Sequence, residues 1–413
     1  MSKLRILHTA DFHLGVGLKG AETNSIVIQR RHLDFITQLK RISSIAIENE
    51  CDFVVISGDV FHSFRPSGFL LNEFSRFVAS LTENNIYVIV IAGNHDQPRT
   101  SRTEAYLKAL HEVRAPRFYY FKTPGSITLN GFRSNRKVKF VCLPYLPPSV
   151  LDSSKYINLI DETLSELVEE KSEEYDYLVV LAHFYVEGAK IGSLPSYLPI
   201  YDVRVPKSIF KRDDVNYVAL GHIHLFQELS PSIVYSGSIE RMNFGEEDED
   251  KGVVLVEEIN GDLKPSFKKL PCRPLITLPK SKFGFTERIF DLTGVLNPTR
   301  KLIEVLSPLN LPKEAIVRLM VKLPYGKGIA KEELTKLMKE KKVMHWFVEL
   351  VRVRAEDVIS HVRPFRDVKD AFKDYIEHVF IKRQGKAFPK DLVDLIVTEG
   401  LRIIEEIERE EAL

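Results

Sequence analysis

Polar side chains that bind metal ions follow several short apolar runs of this sequence. In chain order they are Asp11, His13, Asp59, Asn94, His95, His183, His222 and His224. A carboxylate can bridge two cations, and neutral imidazole is the commonest protein ligand of transition metals. Mixed oxygen and nitrogen donors without a cysteine cluster favour Mn²⁺, Fe²⁺ or Zn²⁺ over a dedicated Ca²⁺ site. We therefore expect these residues to bind a pair of divalent cations.

A pair of divalent cations at these positions points to hydrolysis of a phosphate ester. Two bound cations clamp a phosphate and lower the pKa of a water molecule, which becomes a nucleophile near neutral pH. The departing alkoxide needs a proton or another form of charge stabilisation, so one nearby histidine should remain off the metals. A single histidine at a strand end is usually a hydrogen-bonded core residue, but five such positions on successive strands are hard to obtain by packing alone.

The apolar runs that precede these residues are typical of buried strands. They are rich in Val and Ile, and they occupy positions 4–9, 53–57, 86–91, 177–181 and 215–220. Amphipathic stretches typical of helices lie at about 26–49, 68–83, 101–112 and 156–172. Alternating strands and helices predict an α/β layered core, in which ligands bind outside the carboxyl ends of the strands. All the metal-binding candidates lie at those ends, where glycines at 58, 93 and 221 let the backbone turn sharply.

The sequence changes character after Phe244. An acidic segment, 245–252, precedes a closing strand at 253–258. The proline-containing segment 265–279 is interpreted as a linker or as the start of a new unit. A small α+β domain is predicted from alternating strand-like and helical segments near 288–293, 297–306, 315–323, 330–341 and 346–353.

Composition limits the class of protein. The chain has 413 residues, which favours two or three domains, and its formal net charge of +1 argues against a surface coated in positive potential. The three cysteines, Cys51, Cys142 and Cys272, are widely separated, as expected for reduced thiols in an intracellular protein. The sequence shows neither a membrane-spanning apolar run nor a secretory leader. We expect an intracellular protein that does not act at a membrane.

The segments around the metal-binding candidates resemble a known family. The motifs Asp11-x-His13, Gly58-Asp59, Gly93-Asn94-His95-Asp96, His183 and Gly221-His222-x-His224 resemble the calcineurin-like metallophosphoesterases. Within that superfamily, segments 8–15, 58–67 and 235–247 resemble the SbcD / meiotic-recombination-eleven family of DNA double-strand-break repair nucleases, in its archaeal type. The resemblance is dense over about residues 4–258 and looser beyond them. It implies a prokaryotic, cytoplasmic and nucleoid-associated protein.

The resemblance implies two groups of metal ligands and one shared residue. One metal would be held by Asp11, His13 and His224. The other would be held by Asn94, His183 and His222. Asp59 would bridge the two metals.

Three further residues are expected near these ligands. The resemblance implies that His95 is the catalytic histidine, which assists departure of the leaving group without binding a metal. It also places His62 close to the site, where it would influence how a DNA end is presented; the alternative is a surface residue at a helix start. Asp96 is expected to orient a neighbouring His or Arg rather than to act in catalysis.

The resemblance also implies a division into three domains. The nuclease domain is expected over 1–265 and a cap that positions DNA over 275–354. The C-terminal part, 365–411, with helices expected over 368–380 and after Pro389, would dock on the coiled coil of an SbcC-type, SMC-like ATPase. A short amphipathic helix pair needs a groove, on the partner or on the rest of the chain, to bury Phe372, Tyr375, Ile376, Phe380, Leu392 and Ile396.

Two other sets of residues are candidates for contacts with partners. Phosphate contacts are expected among residues that could each also be a solvated surface cation: Arg65, Arg99, Arg102, Arg133, Arg136, Lys137, Lys190 and Arg241. A homodimer, expected from the family, would use apolar residues that could equally be buried in the monomer: Leu70, Leu71, Phe74, Phe77, Tyr106, Leu107 and Leu110.

The function that follows is a Mn²⁺-dependent DNA nuclease with exonuclease and structure-sensitive endonuclease action. Its expected substrates are duplex ends, single strands and hairpins, and its expected partners are the ATPase and a second copy of the chain. A small-molecule phosphoesterase with the same metals is the alternative, although a small pocket would need neither the extra domain nor the helix pair. A third alternative, a phosphoesterase fold kept only as a scaffold, conflicts with the complete ligand set.

Overall fold

The computed structural model describes residues 3–18, 20, 24–97, 107–108, 112, 115–147, 152–170, 174–192, 202–353, 367–376 and 389–410. Contacts within the chain divide it into two compact units, Met1–Val351 and Arg352–Leu413. The described residues of the first unit form three β-sheets, and those of the second form two helices.

Strands and helices alternate along the first unit, as the sequence pattern predicts. The strands are β1 (Arg5–Thr9), β2 (Phe53–Ile56), β3 (Tyr87–Ile91), β4 (Phe118–Phe121), β5 (Gly125–Asn130), β6 (Lys137–Leu143), β7 (Tyr177–His183), β8 (Tyr217–Gly221), β9 (Gln227–Ser230), β10 (Ile233–Tyr235), β11 (Lys251–Ile259), β12 (Asp262–Leu270), β13 (Leu275–Leu278), β14 (Phe290–Asp291), β15 (Ile316–Pro324) and β16 (His345–Val353). The described helices are α1 (Ser25–Glu48), α2 (Gly68–Thr82), α3 (Ser153–Glu169), α4 (Pro298–Leu306), α5 (Lys331–Glu340), α6 (Val368–Asp374) and α7 (Lys390–Glu410). The helix predicted over 101–112 lies outside the described residues, apart from 107, 108 and 112.

Two six-stranded sheets form the core of the first unit. The first sheet has the strand order β12-β11-β1-β2-β3-β4, and the second has the order β5-β6-β7-β8-β10-β9. Strands β1 to β4 are parallel to one another, and so are β6, β7 and β8. Because parallel strands all end at the same edge of a sheet, the residues after them are brought together there.

The two sheets pack face to face, with helices on their outer faces. Along β2, Phe53 and Val55 belong to the apolar layer between the sheets, while Val54 and Ile56 face α1 and α2. The strands of the second sheet alternate in the same way, and their outer residues pack against α3. Strands that are covered on both sides need apolar residues at every position, which is why these runs show no polar alternation.

Side-chain caps fix where the outer helices begin. Asn24 accepts a hydrogen bond from Val27 N before α1, Ser67 accepts one from Leu70 N before α2, and Asp152 accepts one from Lys155 N before α3. An N-cap of this kind is worth about 1 kcal/mol to helix stability. The buried faces of α1 and α2 cover the first sheet with Phe35, Leu39, Ile42, Phe74, Phe77 and Leu81.

Of the segment expected to be a linker or the start of a new unit, 265–279, residues 265–270 instead complete the preceding sheet, whereas 275–278 begin another. Residues 262–270 form β12, which pairs antiparallel with β11, and 275–278 form β13 of another sheet. Pro265 has no N–H group to donate. It is tolerated because β12 is the edge strand of its sheet, so no strand on its outer side loses a hydrogen bond. The connection between the two sheets is therefore the short segment 271–274.

The remaining sheet of the first unit is small. Strand β15 pairs with β13, β14 and β16, and helices α4 and α5 cover it through apolar residues such as Leu302, Leu306, Leu334 and Met338. We call residues 275–353, which contain this sheet and its helices, the small sheet domain. The α+β pattern predicted for this part of the chain is confirmed.

The described residues of the second unit form a pair of packed helices. The ring of Phe372 on α6 occupies the space where a Cβ at Gly400 of α7 would lie, so the two helices approach closely at this glycine. Ile376 and Val397 are buried beside this contact. The predicted helix over 368–380 is described only as far as residue 376. In the part of the chain that the structure describes, no helix has the length and apolar composition that crossing a membrane requires.

Candidate metal centre

The candidate ligands of the first sheet lie on loops that continue the pairing of β1 with β2. Asp11 N donates a hydrogen bond to Gly58 O over 3.0 Å, and His13 N donates one to Asp59 O over 2.9 Å. A loop of the second sheet joins them, because His222 N donates to both carboxylate oxygens of Asp11 at 3.0 and 3.1 Å. The two sheets therefore meet at this site.

Several of the candidate ligands have a strained backbone. The φ angles of Asp11, His13, Asp59 and His222 are 51°, 43°, 54° and 90°, a left-handed region that residues other than glycine rarely adopt. Such conformations cost about 1–3 kcal/mol each and are found mainly where function requires a particular side-chain direction. Here they turn the side chains into a common pocket.

One group of donors converges around His13. Its Nε2 atom lies 3.1 Å from Nε2 of His224 and 3.3 Å from Oδ2 of Asp59. Donor atoms of Asp11, His13 and His224 all lie within 4.8 Å of one another. This is the set that the family resemblance implies for one of the two metals.

A second group of donors converges around His183. Its Nε2 atom lies 3.5 Å from Oδ2 of Asp59 and 3.1 Å from Oδ1 of Asn94. The same amide oxygen lies 3.1 Å from Nδ1 of His222. Asp59 Oδ2 thus stands between the two groups, close to one histidine from each. The structure therefore brings together all seven predicted ligands, and their division between two cations stays a prediction.

The hydrogen bonds behind two of the histidines show that the pocket suits a cation. His183 Nδ1 contacts the carbonyl oxygen of Ser57 at 2.6 Å, and His222 Nε2 contacts the carboxylate of Asp202 at 2.7 Å. Both partners accept hydrogen bonds only, so these ring nitrogens carry the proton whenever the imidazole is neutral, and the opposite nitrogens then carry lone pairs. Those lone pairs both face Asn94 Oδ1, which is also an acceptor. Three acceptors that converge in this way fit a bound cation.

The third histidine is held in the same way. His224 Nδ1 contacts the carboxylate of Glu246 at 3.1 Å, which leaves its Nε2 lone pair directed at the pocket. The buried ammonium of Lys251 donates to that carboxylate over 2.8 Å and to the main-chain oxygen of His224 over 3.0 Å. Nitrogen and oxygen donors of this kind fit divalent transition metals such as Mn²⁺.

Sequence reasoning missed the residues that hold these histidines. Glu246 lies in the acidic segment 245–252, to which the sequence assigns no role at the metal site, and Asp202 lies 20 residues before His222 without a motif around it. Tyr145 was also missed; its ring lies beside His183 and His222, and its hydroxyl donates to Asp202 over 3.3 Å. A buried carboxylate behind each histidine could have been expected in general, but not its position in the chain.

The ionisation of the site follows from the convergence of carboxylates and imidazoles. Burial opposes the charged form of His183, yet the carboxylate of Asp59, with Asp11 nearby, raises the pKa of this histidine to about 9. Burial also opposes the charge on Asp59, but His183 and His13 hold the pKa of this carboxyl well below its ordinary value. Burial raises the pKa of Asp96 to about 6, with a further contribution from Asp59. The carboxylates thus attract positive charge into the pocket.

His95 lies at the edge of the site and is oriented by main-chain contacts. Its backbone N–H donates to Asp59 Oδ1 over 2.8 Å, and its Nδ1 atom contacts the carbonyl oxygen of His62 at 2.9 Å. Since that carbonyl accepts only, Nδ1 carries a proton and Nε2 remains available. The exposed ring of His62 stacks on His95 with centroids 5.0 Å apart, and its Nδ1 lies 3.4 Å from Nδ1 of His13.

Asp96 supports the site in a different way from the one expected. Its carboxylate accepts main-chain hydrogen bonds from Val60, Phe61 and Gly93 at 3.0–3.2 Å, rather than orienting a His or Arg. These bonds hold the loop after β2 against the loop after β3. Gly93 is required here because a Cβ would occupy the position of the Asp59 carboxylate. The role of Asp96 is therefore to fix the backbone around Asp59.

Three of the six predicted phosphate contacts that the structure describes have other partners. Arg133 donates to the main-chain oxygens of Cys51 and Asn84, and Arg136 donates to Glu258. Arg241 donates to the main-chain oxygens of Glu249 and Arg273. These arginines stabilise the fold, whereas Arg65, Lys137 and Lys190 are exposed. Arg99 and Arg102 lie outside the described residues.

The apolar residues predicted for a dimer interface are largely buried within the chain. Leu70, Phe74, Phe77 and Leu107 belong to the core between the first sheet and its helices, and Leu71 packs against that core. Tyr106 and Leu110 lie outside the described residues. Packing in the monomer therefore explains these residues without a second copy.

The fold and the site define a metallophosphoesterase. Two sheets pack face to face, and Asp, Asn and His donors gather at the carboxyl ends of their parallel strands. The chain belongs to the calcineurin-like phosphoesterase family, whose pattern matches residues 4–226. It is also 28% identical over 273 residues to the DNA double-strand break repair protein Mre11 of Thermoplasma acidophilum, which supports the SbcD / meiotic-recombination-eleven type. That match covers 62% of this chain and 63% of the relative. The chain therefore spans less than two thirds of the length of the relative. A dimetal phosphatase from Danio rerio is similar in structure, with 11% identity, a TM-score of 0.36 and coverage of 65% of this chain and 98% of that chain.

Proposed function

We propose that this protein is a Mn²⁺-dependent DNA nuclease, with exonuclease and structure-sensitive endonuclease action at the ends of broken DNA. The observation that carries the proposal is the position of Asp59 Oδ2, 3.3 Å from His13 Nε2 and 3.5 Å from His183 Nε2. One carboxylate oxygen between two groups of donors suits a pair of cations rather than one. Because DNA is the proposed substrate, we also propose an intracellular location.

The residues of the site would divide the work of hydrolysis. Two divalent cations, when bound, would draw charge from a phosphodiester and make water a nucleophile near neutral pH. Asp11, His13 and His224 would hold one cation, Asn94, His183 and His222 the other, and Asp59 both. His95 would act from its doubly protonated imidazolium form: Nδ1 keeps the proton that is bonded to His62 O, and Nε2 passes the other proton to the leaving alkoxide.

The choice of DNA as substrate is supported by the relative from Thermoplasma acidophilum, which is described as a DNA double-strand break repair protein. The small sheet domain, 275–353, lies outside the 4–226 match to the phosphoesterase family and is the proposed DNA-positioning cap. Duplex ends, single strands and hairpins are the proposed substrates. The sign of the net charge gives little help, because a formal charge of +1 provides no general attraction to a polyanion.

The helices α6 and α7 are proposed to dock on an SbcC-type, SMC-like ATPase. Although the pair buries Ile376 and Val397 and packs Phe372 against Gly400, α7 leaves an exposed apolar stripe. The exposed residues are Leu392, Leu395, Ile403 and Ile407. An amphipathic helix with such a stripe is suited to a hydrophobic groove on a partner. A homodimer is a further proposal from the family.

The test is a comparison of substrates with one preparation of the whole chain. With added Mn²⁺, cleavage of a duplex DNA end should exceed hydrolysis of nucleotide monophosphates, and a chelator should abolish both. Equal or greater efficiency on the monophosphates would replace the nuclease with a small-molecule phosphoesterase. DNA binding without any cleavage would instead indicate a scaffold.

A deletion tests the proposed partner separately. Removal of residues from about 365 should leave metal-dependent cleavage of simple substrates intact, because no described ligand lies in that unit. The same deletion should abolish association with the ATPase. Unchanged association would place the contact elsewhere in the chain.

A further inference from the structure

A short turn, residues 244–248, lies between the metal centre and the small sheet domain. It contains Phe244, Gly245, Glu246, Glu247 and Asp248, and we call it the 244–248 turn. Glu246 contacts a predicted metal ligand, while its neighbours contact the small sheet domain. One short piece of backbone thus touches both parts of the unit.

On the side of the metal centre, Glu246 is completely enclosed by hydrogen-bond donors. One carboxylate oxygen accepts from His224 Nδ1 and from Asn243 Nδ2, each at 3.1 Å. The other accepts from Lys251 Nζ at 2.8 Å and from Met242 N at 3.1 Å. Lys251 Nζ also donates to the main-chain oxygen of His224 over 3.0 Å. The ring and the backbone of His224 are therefore held by two buried groups that are bonded to each other.

On the other side, the turn is bound by charged groups of the small sheet domain. Glu247 accepts from Thr277 N at 2.6 Å and from Lys280 Nζ at 2.9 Å. The same ammonium donates to both carboxylate oxygens of Asp248 at 2.6 Å. Glu247 directly follows Glu246, so a shift of the small sheet domain would be transmitted to Glu246 through a single peptide bond.

Aromatic and cation–π contacts strengthen the same attachment. The guanidinium of Arg318 lies 4.8 Å from the centroid of the Phe244 ring, and Phe347 packs edge-on against that ring at 5.5 Å. Phe244 is buried, together with Leu275 and Ile316 of the small sheet domain. Both ends of the 244–248 turn are therefore attached to that domain.

We infer that Glu246 is a positioning residue that orients His224 for its metal, and that the small sheet domain regulates this metal through the 244–248 turn. A buried carboxylate behind a metal-bound histidine fixes the tautomer and direction of the ring, and its loss typically weakens metal binding 10–100-fold. The inference rests on the proposed two-metal centre. It adds that one of the two metals depends on contacts made by the small sheet domain.

The second histidine of the pair has a separate anchor, which provides an internal comparison. His222 is held by Asp202, whose other oxygen accepts from the hydroxyl of Tyr145. Asp202 lies outside the 244–248 turn, so movement of the small sheet domain should act on His224 rather than on His222. The two carboxylates should therefore control different metals.

The experiment is a titration of the whole chain with Mn²⁺ alone, followed by calorimetry and by electron paramagnetic resonance of the bound ions. Wild type should bind two equivalents. Glu246→Ala should weaken one equivalent about 10–100-fold and leave the other tight, and Asp202→Ala should weaken the opposite one. The double variant should then lack both tight equivalents. Equal weakening of both by Glu246→Ala alone would indicate a general structural role and would overturn the inference.

Two variants on the far side of the turn test the link to the small sheet domain. Lys280→Ala and Glu247→Ala, which touch no predicted ligand, should weaken the equivalent that Glu246→Ala weakens, by a few-fold. Lys322→Ala is the matched control, because Lys322 forms a 2.9 Å ion pair with Asp291, a residue of the same domain rather than of the turn. If Lys280→Ala and Glu247→Ala bind Mn²⁺ as tightly as Lys322→Ala does, the proposed link between the small sheet domain and the metal is overturned.

The outcomes separate this inference from the proposed function. Failure of wild type to bind Mn²⁺ would refute the two-metal centre itself. Two tight equivalents in both wild type and Glu246→Ala would refute only the role of Glu246. Thermal unfolding of each metal-free variant shows whether it is folded, and Glu246→Gln, which keeps the side-chain volume, replaces Glu246→Ala if that variant unfolds. Glu246→Gln should weaken binding of the same single Mn²⁺ ion. If Glu246→Gln binds both ions with wild-type affinity, the positioning role of Glu246 is again refuted.

Discussion

The ring of His95 is held by a main-chain atom of His62, whose carbonyl oxygen lies 2.9 Å from His95 Nδ1. The side chain of His62 takes no part in this bond, although its ring stacks on His95. A general acid held by backbone keeps its direction when neighbouring side chains change. The roles of His95 and His62 can therefore be tested with separate variants.

Replacement of His95 by Asn should abolish proton donation while leaving the metal ligands in place. We expect two bound Mn²⁺ per chain and a fall in DNA cleavage of at least about a hundredfold, the usual contribution of a general acid. Metal analysis and single-turnover cleavage measure the two quantities. His62→Ala is the control, since it retains the carbonyl that orients His95 and should reduce hydrolysis of a simple phosphodiester far less. Unimpaired cleavage by His95→Asn would exclude the role.

Replacement of Asp59 by Ala should deplete both metals rather than one. Its Oδ2 atom lies 3.3 Å from His13 Nε2 and 3.5 Å from His183 Nε2, so both groups of donors lose the shared carboxylate. Metal content after dialysis, measured by mass spectrometry, should fall for both equivalents. Asp262→Ala is the control: it removes a carboxylate at the exposed start of β12, far from these donors in sequence. This variant should retain two bound metal ions. Full occupancy in Asp59→Ala would show that the bridge is wrongly assigned.

The strand-end pattern was sufficient to predict which residues gather at the site. Asp11, Asp59, Asn94, His183 and His222 each lie shortly after the end of an apolar run, and parallel strands bring such positions together regardless of loop details. Each strand and its polar end are local features, so a single stretch of sequence contains the signal. The same holds for the layered α/β fold.

The residues that hold the ligands could not be predicted in this way. Asp202 and Glu246 reach His222 and His224 only after the chain has folded, and nothing near them in sequence marks the contact. Pro265 misled the prediction in the opposite direction, because the sequence does not show that β12 is an edge strand that tolerates proline. Leu70 and its neighbours were ambiguous because a buried helix face and an interface have the same apolar spacing.

The ion pair between Glu258 and Arg136 should make stability depend on pH. Burial opposes the charge on Glu258, but hydrogen bonds from Arg136 and Leu4 N hold its pKa below the ordinary value. A carboxyl with a depressed folded pKa stabilises the fold above its unfolded pKa of about 4.3, and this contribution is lost as pH falls through the folded pKa.

The variant Glu258→Gln should therefore differ from wild type mainly at neutral pH. Because Arg136 is partly exposed, we expect a loss of about 1–2 kcal/mol in unfolding free energy at pH 7. Urea unfolding at pH 7 and pH 3 should show a smaller gap at the lower pH. Glu162→Gln, on the exposed face of α3, should change stability little at either pH. A gap that is as wide at pH 3 as at pH 7 would contradict the assignment.

Two glycines with nearly the same backbone conformation test whether space at the metal centre is limiting. Gly58 has a φ of 92° and Gly261 one of 89°, so alanine at either position adopts a disfavoured conformation that costs about 1–2 kcal/mol. A Cβ at Gly261, in the turn between β11 and β12, meets nothing within 4 Å, whereas one at Gly58 meets the ring of His183.

Gly58→Ala should therefore lose more than Gly261→Ala in two separate measurements. In urea unfolding of the metal-free protein, displacement of the His183 ring should lower the unfolding free energy of Gly58→Ala by a further amount of about 1–3 kcal/mol, as overpacking of a buried site does. The same displacement should weaken Mn²⁺ binding in Gly58→Ala only, since Gly261 contacts no ligand. Equal losses in both variants would mean that backbone strain alone accounts for the effect. Tight binding in Gly58→Ala would mean that His183 can move aside without leaving its metal.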